Sequence, residues 1–183
     1  MADINKSWAF VLSNEDTTPP SGKVTDEPNG AIARLGINSH AWPEAVTDGF
    51  YAMALPDALI YAEDIFKYHF WAMIVGYSMV SQLIASKTAD LAFNAGVEEA
   101  GLILQRAANI VWPAQPIAVD GICGAWTLAR VNMICGDHEE ALFGAMLEAG
   151  QTFYYQLRMR KPQEFSEALE AEWLRRLAIR PPV

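Results

Sequence analysis

Glu15 is the residue at which chemistry could begin. Ile4, Trp8, Val11 and Leu12 recur at helical spacing and predict an amphipathic helix. Glu15 continues their stripe, so its carboxyl points toward the interior and not into solvent. A carboxyl withdrawn from water resists ionisation and holds its proton closer to neutral pH. Such a group can protonate a leaving oxygen, which is the acid step of glycoside hydrolysis. Hydrolysis of this kind uses a second carboxylate, and the stretch after Glu15 offers Asp16, Asp26 and Glu27. On spacing alone, the competing reading of Glu15 is a carboxylate at a helix end facing water.

These residues need a frame. Residues 16–35 contain Pro19, Pro20, Gly22, Pro28 and Gly30, which break helices and set turns, and are read as a loop or a small irregular hairpin. A loop of this length is more often functional than incidental. Downstream the pattern is helical throughout. One helix starts at Pro56 and Asp57 and buries Leu59, Ala62, Ile65, Phe66 and Phe70. Further helices are expected over residues 78–94, with Gly96 as a stop, and over 98–110. Pro113 and Pro116 mark a break, and Asp120-Gly121 is a turn signal before a short helix over 125–134. Asp137 and Glu140 read as a capping pair opening a long helix that Pro162 ends. A last helix carries Phe165, Leu169, Trp173 and Leu177, and the terminal residues 180–183 are expected to fray. No segment of any length alternates with a strand period, and no internal repeat is visible.

The composition excludes several classes. At 183 residues and 52% hydrophobic, the chain suits one globular domain with a substantial core. A net charge of -9 argues against nucleic acid, which calls for a basic surface. It argues equally against electrostatic adhesion to an anionic membrane. Six of the 13 Lys and Arg residues lie from Arg158 onward, either as a solvated face or as a contact for anionic material. Cys123 and Cys135 suggest buried free thiols in preference to a disulfide framework. His40, His69 and His138 have no metal-ligand spacing, so neither a metal nor a cofactor is expected. Residues 70–85 are too short and too interrupted by polar residues to span a membrane, and no signal peptide is read at the N-terminus.

Seven stretches in order, residues 10–15, 26–31, 35–37, 64–71, 93–96, 104–107 and 119–128, resemble the glycoside hydrolase family 108 muramidases, the phage-endolysin and secretion-associated lysozyme-like family. Residues 10–15 are similar to the family's approach to its glutamate, residues 26–31 to its acidic loop, and Leu35-Gly36-Ile37 to that loop's exit. Residues 64–71 resemble its next helix end. Phe93-Asn94-Ala95-Gly96 and Leu104-Gln105-Arg106-Ala107 resemble a further pair. Residues 119–128 are similar to the signature of its C-terminal peptidoglycan-binding region. The family's Gly-Gly-Tyr after the glutamate is replaced here by Asp16-Thr17-Thr18, and Ile32 stands near its usual loop Thr.

The resemblance implies a mostly α, lysozyme-like helical single domain. It implies a catalytic lobe over residues 1–90 and a peptidoglycan-binding-like lobe over 91–183. The implied activity is cleavage of the N-acetylmuramic acid–N-acetylglucosamine bond in peptidoglycan, with Glu15 as general acid and Asp26 or Glu27 as partner. Asn94 could bind an N-acetyl group or cap its helix, and Tyr68 and Trp71 could stack on sugars or belong to the core. Gln105, Asp120, Gly121 and Gly124 are read as structural. The alternative is a non-catalytic peptidoglycan-binding or secretion-accessory protein, suggested by the missing Gly-Gly-Tyr. Either protein would reach the wall from the cytoplasm through a holin, a secretion system or a phage particle.

Overall fold

A computed structural model describes residues 1–27 and 29–183. Pro28, part of the acidic loop, lies outside the described residues. Eight α-helices and one small sheet are present among them. In chain order these are α1 (Ile4–Glu15), β1 (Thr25–Asp26), β2 (Ile32–Arg34), β3 (Ile37–Asn38), α2 (Pro43–Thr47) and α3 (Leu55–Ile65). Then follow α4 (Gln82–Ala95), α5 (Val97–Val111), α6 (Ala125–Asp137), α7 (Glu139–Arg160) and α8 (Glu167–Ala178). The protein is a mostly α single domain, as the sequence suggests.

Local chemistry explains most helix starts. Asp3 caps α1 by accepting from the Asn5 N–H at 2.8 Å. Ser81 and Ser166 cap α4 and α8 in the same way. Pro56 sits in the first turn of α3, where its missing N–H is harmless. The capping pair expected at Asp137 and Glu140 is a misreading. Asp137 is the last residue of α6, and α7 starts at Glu139, with His138 at the N-cap position and no side-chain cap.

Central helix α4 is buried almost all round, from Leu83 to Ala92. It packs against both α1 and α5, and a single hydrophobic core runs from Trp8 and Val11 through Leu83 and Leu104 to Met146 and Leu177. The lobe boundary expected at residues 90/91 falls inside this helix. Both cysteines are free, with Cys123 buried.

The expected irregular hairpin is a three-stranded antiparallel sheet. Arg34 pairs with Ile37, so Leu35-Gly36 is a two-residue turn with both φ positive, at 50° and 77°. Buried Arg34 fastens the sheet to the helices. It donates to the carbonyls of Gly22 at 2.7 Å, Phe50 at 2.8 Å and Met53 at 2.9 Å.

In the C-terminal half, the buried Gln105 amide organises the turn before α6. Its Nε2 donates to Asp120 Oδ1, the Ile122 carbonyl and Thr127 Oγ1, and its Oε1 accepts from the N–H groups of Asp120 and Gly121. Gly101 lets this turn approach, because a Cβ there would stand 2.1 Å from the Gly121 carbonyl oxygen. Gln105→Leu strands the buried Gly121 N–H and the part-buried Asp120 N–H, and is expected to cost about 1–3 kcal/mol. That corresponds to roughly 3–10 °C in Tm, measurable by a thermal melt followed by circular dichroism. An unchanged Tm would refute this role.

Candidate functional site

Glu15 ends α1 as the helix reaches the sheet. The Leu35-Gly36 turn is pressed onto its side chain, so closely that a Cβ on Gly36 would lie 2.8 Å from Glu15 Cγ and 2.5 Å from Phe93 Cε1. A cleft of about 220 Å³ opens beside it, lined by Glu15, Asp16, Lys23, Thr25, Glu27 and Gly36 among others. Gly36 is shared with a second hollow of about 320 Å³, lined by Asn38, Ala41, Trp42, Phe70, Phe93 and Gly96. The two hollows adjoin at Gly36, and together they are termed the groove. It has a carboxylate-rich end at the sheet and an aromatic end at Trp42.

The structure separates the candidate carboxylates. Thr25 and Glu27 line the cleft, whereas Asp26 between them does not. Of the two candidate partners, Glu27 therefore shares a cleft with Glu15. Asp16 closes the loop that follows α1. It accepts from Ser21 Oγ at 2.7 Å and from the N–H groups of Gly22 at 2.7 Å and Thr17 at 2.6 Å. Burial works to raise its pKa, but these hydrogen bonds outweigh it and hold the carboxyl below its ordinary range.

The proposed sugar-contacting residues fare differently. Trp71 is fully buried and packs on Gly76, so it cannot stack on a ligand and belongs to the core. Tyr68 is exposed with the Lys67 ammonium 5.0 Å from its ring, and it lines neither part of the groove. Asn94 does not cap a helix with its amide, nor does it line this groove. Its Nδ2 donates to Tyr154 Oη at 2.7 Å, and it borders a separate hollow against α8. Sequence reasoning missed Trp42, Phe70 and Phe93 as the groove's aromatic wall. Phe70 and Phe93 pack with centroids 4.8 Å apart and ring planes tilted by 46°, and the Trp42 and Phe70 centroids are 6.0 Å apart.

Sequence reasoning also missed the partners of Glu15. Arg176 on α8 reaches back to it, with Nη1 2.5 Å from Glu15 Oε1. The same guanidinium donates to Asp90 Oδ1 from Nη2 at 2.9 Å and from Nε at 3.1 Å. Asp90 also accepts from Asn14 Nδ2 at 3.0 Å and lies 3.5 Å from Lys87 Nζ. Lys87 is wholly buried and donates to the Leu177 carbonyl at 3.0 Å. Burial raises the pKa of Glu15, the Arg176 charge pulls it back, and the net direction is upward. Burial lowers that of Lys87 despite Asp90.

Two larger hollows, of about 440 and 530 Å³, meet at Ile110 and Glu148 between α5 and α7. They share no lining residue with the Glu15 groove. No metal-binding cluster of His, Cys, Asp or Glu occurs among the described residues, and no helix there is long and apolar enough to cross a membrane.

The fold is similar to the solved structure of SagA from Brucella abortus, with a TM-score of 0.61 over 96% of this chain and 94% of that one. At 19% identity the likeness is one of fold. Residues 99–178 match the family model described as "Predicted Peptidoglycan domain". That segment holds most of α5 and all of α6, α7 and α8, including the Gln105 turn and Arg176. No curated protein matches.

The raised pKa of Glu15 has a sign that stability can report. The folded state binds a proton that the unfolded state has already released, so stability falls as pH rises from the unfolded pKa through the folded one. Glu15→Gln lacks this loss. The Tm of Glu15→Gln minus that of the wild type is expected to increase from acid toward neutral pH, read by calorimetry over that range. A constant difference would contradict a raised pKa.

Proposed function

We propose that the protein is a peptidoglycan hydrolase of the N-acetylmuramidase type, acting at the groove that crosses Gly36. The observation that carries this reading is Glu15 itself. It is a carboxyl with a raised pKa at the floor of a groove that has a second carboxylate at one end and aromatic side chains at the other. Residues 99–178 match a family described by peptidoglycan, which names the polymer. Glycan rings would lie along Trp42 and Phe93, and a glycosidic oxygen at Gly36 would come within reach of Glu15. Glu15 would protonate that oxygen as the bond breaks, and Glu27 would face the developing positive charge or activate water. Access to the wall would be provided by another component, such as a holin or a secretion system.

One observation favours a second reading, a wall-binding protein that does not cut. Glu15 Oε1 is already held by Arg176, and Asp16 closes the following loop in place of the Gly-Gly-Tyr of the resembled family.

Purified peptidoglycan separates the two. The hydrolase is expected to release reducing muramic acid ends, and Glu15→Gln to reduce that rate by about 10²–10⁴-fold. Glu27→Gln is expected to give a smaller loss. Retention on insoluble peptidoglycan without release of reducing ends would overturn the hydrolase and support the binding protein. Full activity in Glu15→Gln would remove Glu15 as the acid. Trp42→Ala is expected to raise KM for soluble glycan fragments by roughly tenfold with a smaller change in kcat.

A further inference from the structure

Arg176 poses a difficulty for any acid role of Glu15. A guanidinium 2.5 Å from a carboxylate favours the ionised form, yet a general acid must carry a proton. The surroundings of Arg176 resolve this. Two of its nitrogens, Nη2 and Nε, are committed to Asp90 Oδ1, and only Nη1 faces Glu15. Asp90 is 2% exposed and Lys87 0%, so neither charge has water as an alternative partner. The cluster holds two cations and two carboxylates.

When Glu15 takes a proton, Arg176 keeps its contact with Asp90 and is not stranded. Asp90 is thus the counter-charge that makes a protonated Glu15 tolerable. Lys87 secures Asp90 on one side and the α8 carbonyl of Leu177 on the other.

We propose that Arg176 is a positioning residue for Glu15, carried on α8 and balanced by Asp90, so that the charge balance around Arg176 governs when Glu15 holds a proton to donate. This rests on the general-acid reading of Glu15. The charged and titratable groups around Glu15 are Arg176 from α8, Asp90 and Lys87 from α4, and Asp16, Lys23, Glu27 and Arg34 on the groove side. Of these, Arg176 contacts Glu15 directly, and Asp90 is the carboxylate bound to the same guanidinium.

The test is a ¹³C NMR titration of the Glu15 carboxyl in the full-length protein, alongside the pH profile of kcat/KM on peptidoglycan fragments. Removing the cation by Arg176→Met is expected to move the Glu15 midpoint up by about one pH unit or more. Removing the counter-charge by Asp90→Asn is expected to move it down by about one unit. Arg176→Lys keeps the charge and is expected to restore most of the wild-type midpoint. In each variant the pH at which activity falls on the alkaline side should shift with the midpoint.

Should Asp90→Asn fail to fold because Lys87 is left unpaired, the double variant Lys87→Met with Asp90→Asn removes both buried charges and serves for the same titration. A Glu15 midpoint that stays within about 0.3 units of wild type in folded Arg176→Met and in the folded Asp90 variant would overturn the proposal. Absence of turnover in the wild type would defeat the hydrolase reading alone, since the titration still reports whether Arg176 and Asp90 govern Glu15.

Discussion

Lys87 and Asp90 lie almost completely out of solvent on the central helix, where an isolated charge would cost several kcal/mol. They persist because each completes the other's surroundings, and because α8 supplies what they lack. Leu177 offers a carbonyl to the lysine, and Arg176 gives a guanidinium to the aspartate. Most other features near the site follow from this cluster. It makes α8 an integral wall of the domain and binds the end of α1 through Asn14 and Glu15. Breaking such a buried pair by deleting one member typically costs about 3–5 kcal/mol, so the cluster constrains sequence as strongly as the apolar core around it.

The groove depends on a second constraint, the close approach of a turn to a helix end. Leu35 and Gly36 adopt the left-handed conformations that a two-residue hairpin demands. The absence of a Cβ at Gly36 lets the turn rest on both Glu15 and Phe93. The sheet is small, but Arg34 ties it to three carbonyls and so fixes the height of the turn above the acid. Glu15 is therefore shielded from the sheet side by backbone and from the α8 side by a cation. Its carboxyl opens toward the cleft, where Lys23, Thr25 and Glu27 stand.

The helical architecture was legible because burial in α1, α3, α5 and α7 follows a helical period, and Glu15 stood out because it continued one such stripe. What was lost were the facts that depend on register or on long separations. Asp26 and Glu27 are neighbouring carboxylates that local sequence does not distinguish, and only the folded loop brings Glu27 and not Asp26 to the cleft. Trp71 and Trp42 are both aromatic, but the π-helical turn over Phe66–Trp71 sends Trp71 into the core and leaves Phe70 at the groove. Arg176 belongs to a terminal cluster that reads as a solvated face, yet it pairs with residues 86 and more positions away. No local pattern announces such a pairing. The misread cap at Asp137 has a simpler cause: α6 runs on to that residue, so the start of α7 falls one position later.

Hydrolysis at this groove requires a glycan chain to cross Gly36 with a glycosidic oxygen at Glu15. The most direct measurement is a crystal structure of Glu15→Gln with a bound tetrasaccharide of alternating N-acetylglucosamine and N-acetylmuramic acid. Sugar rings are expected along Trp42 and Phe93, with a bridging oxygen within hydrogen-bond distance of residue 15. A tetrasaccharide seated instead between α5 and α7, against Ile110 and Glu148, would contradict this placement.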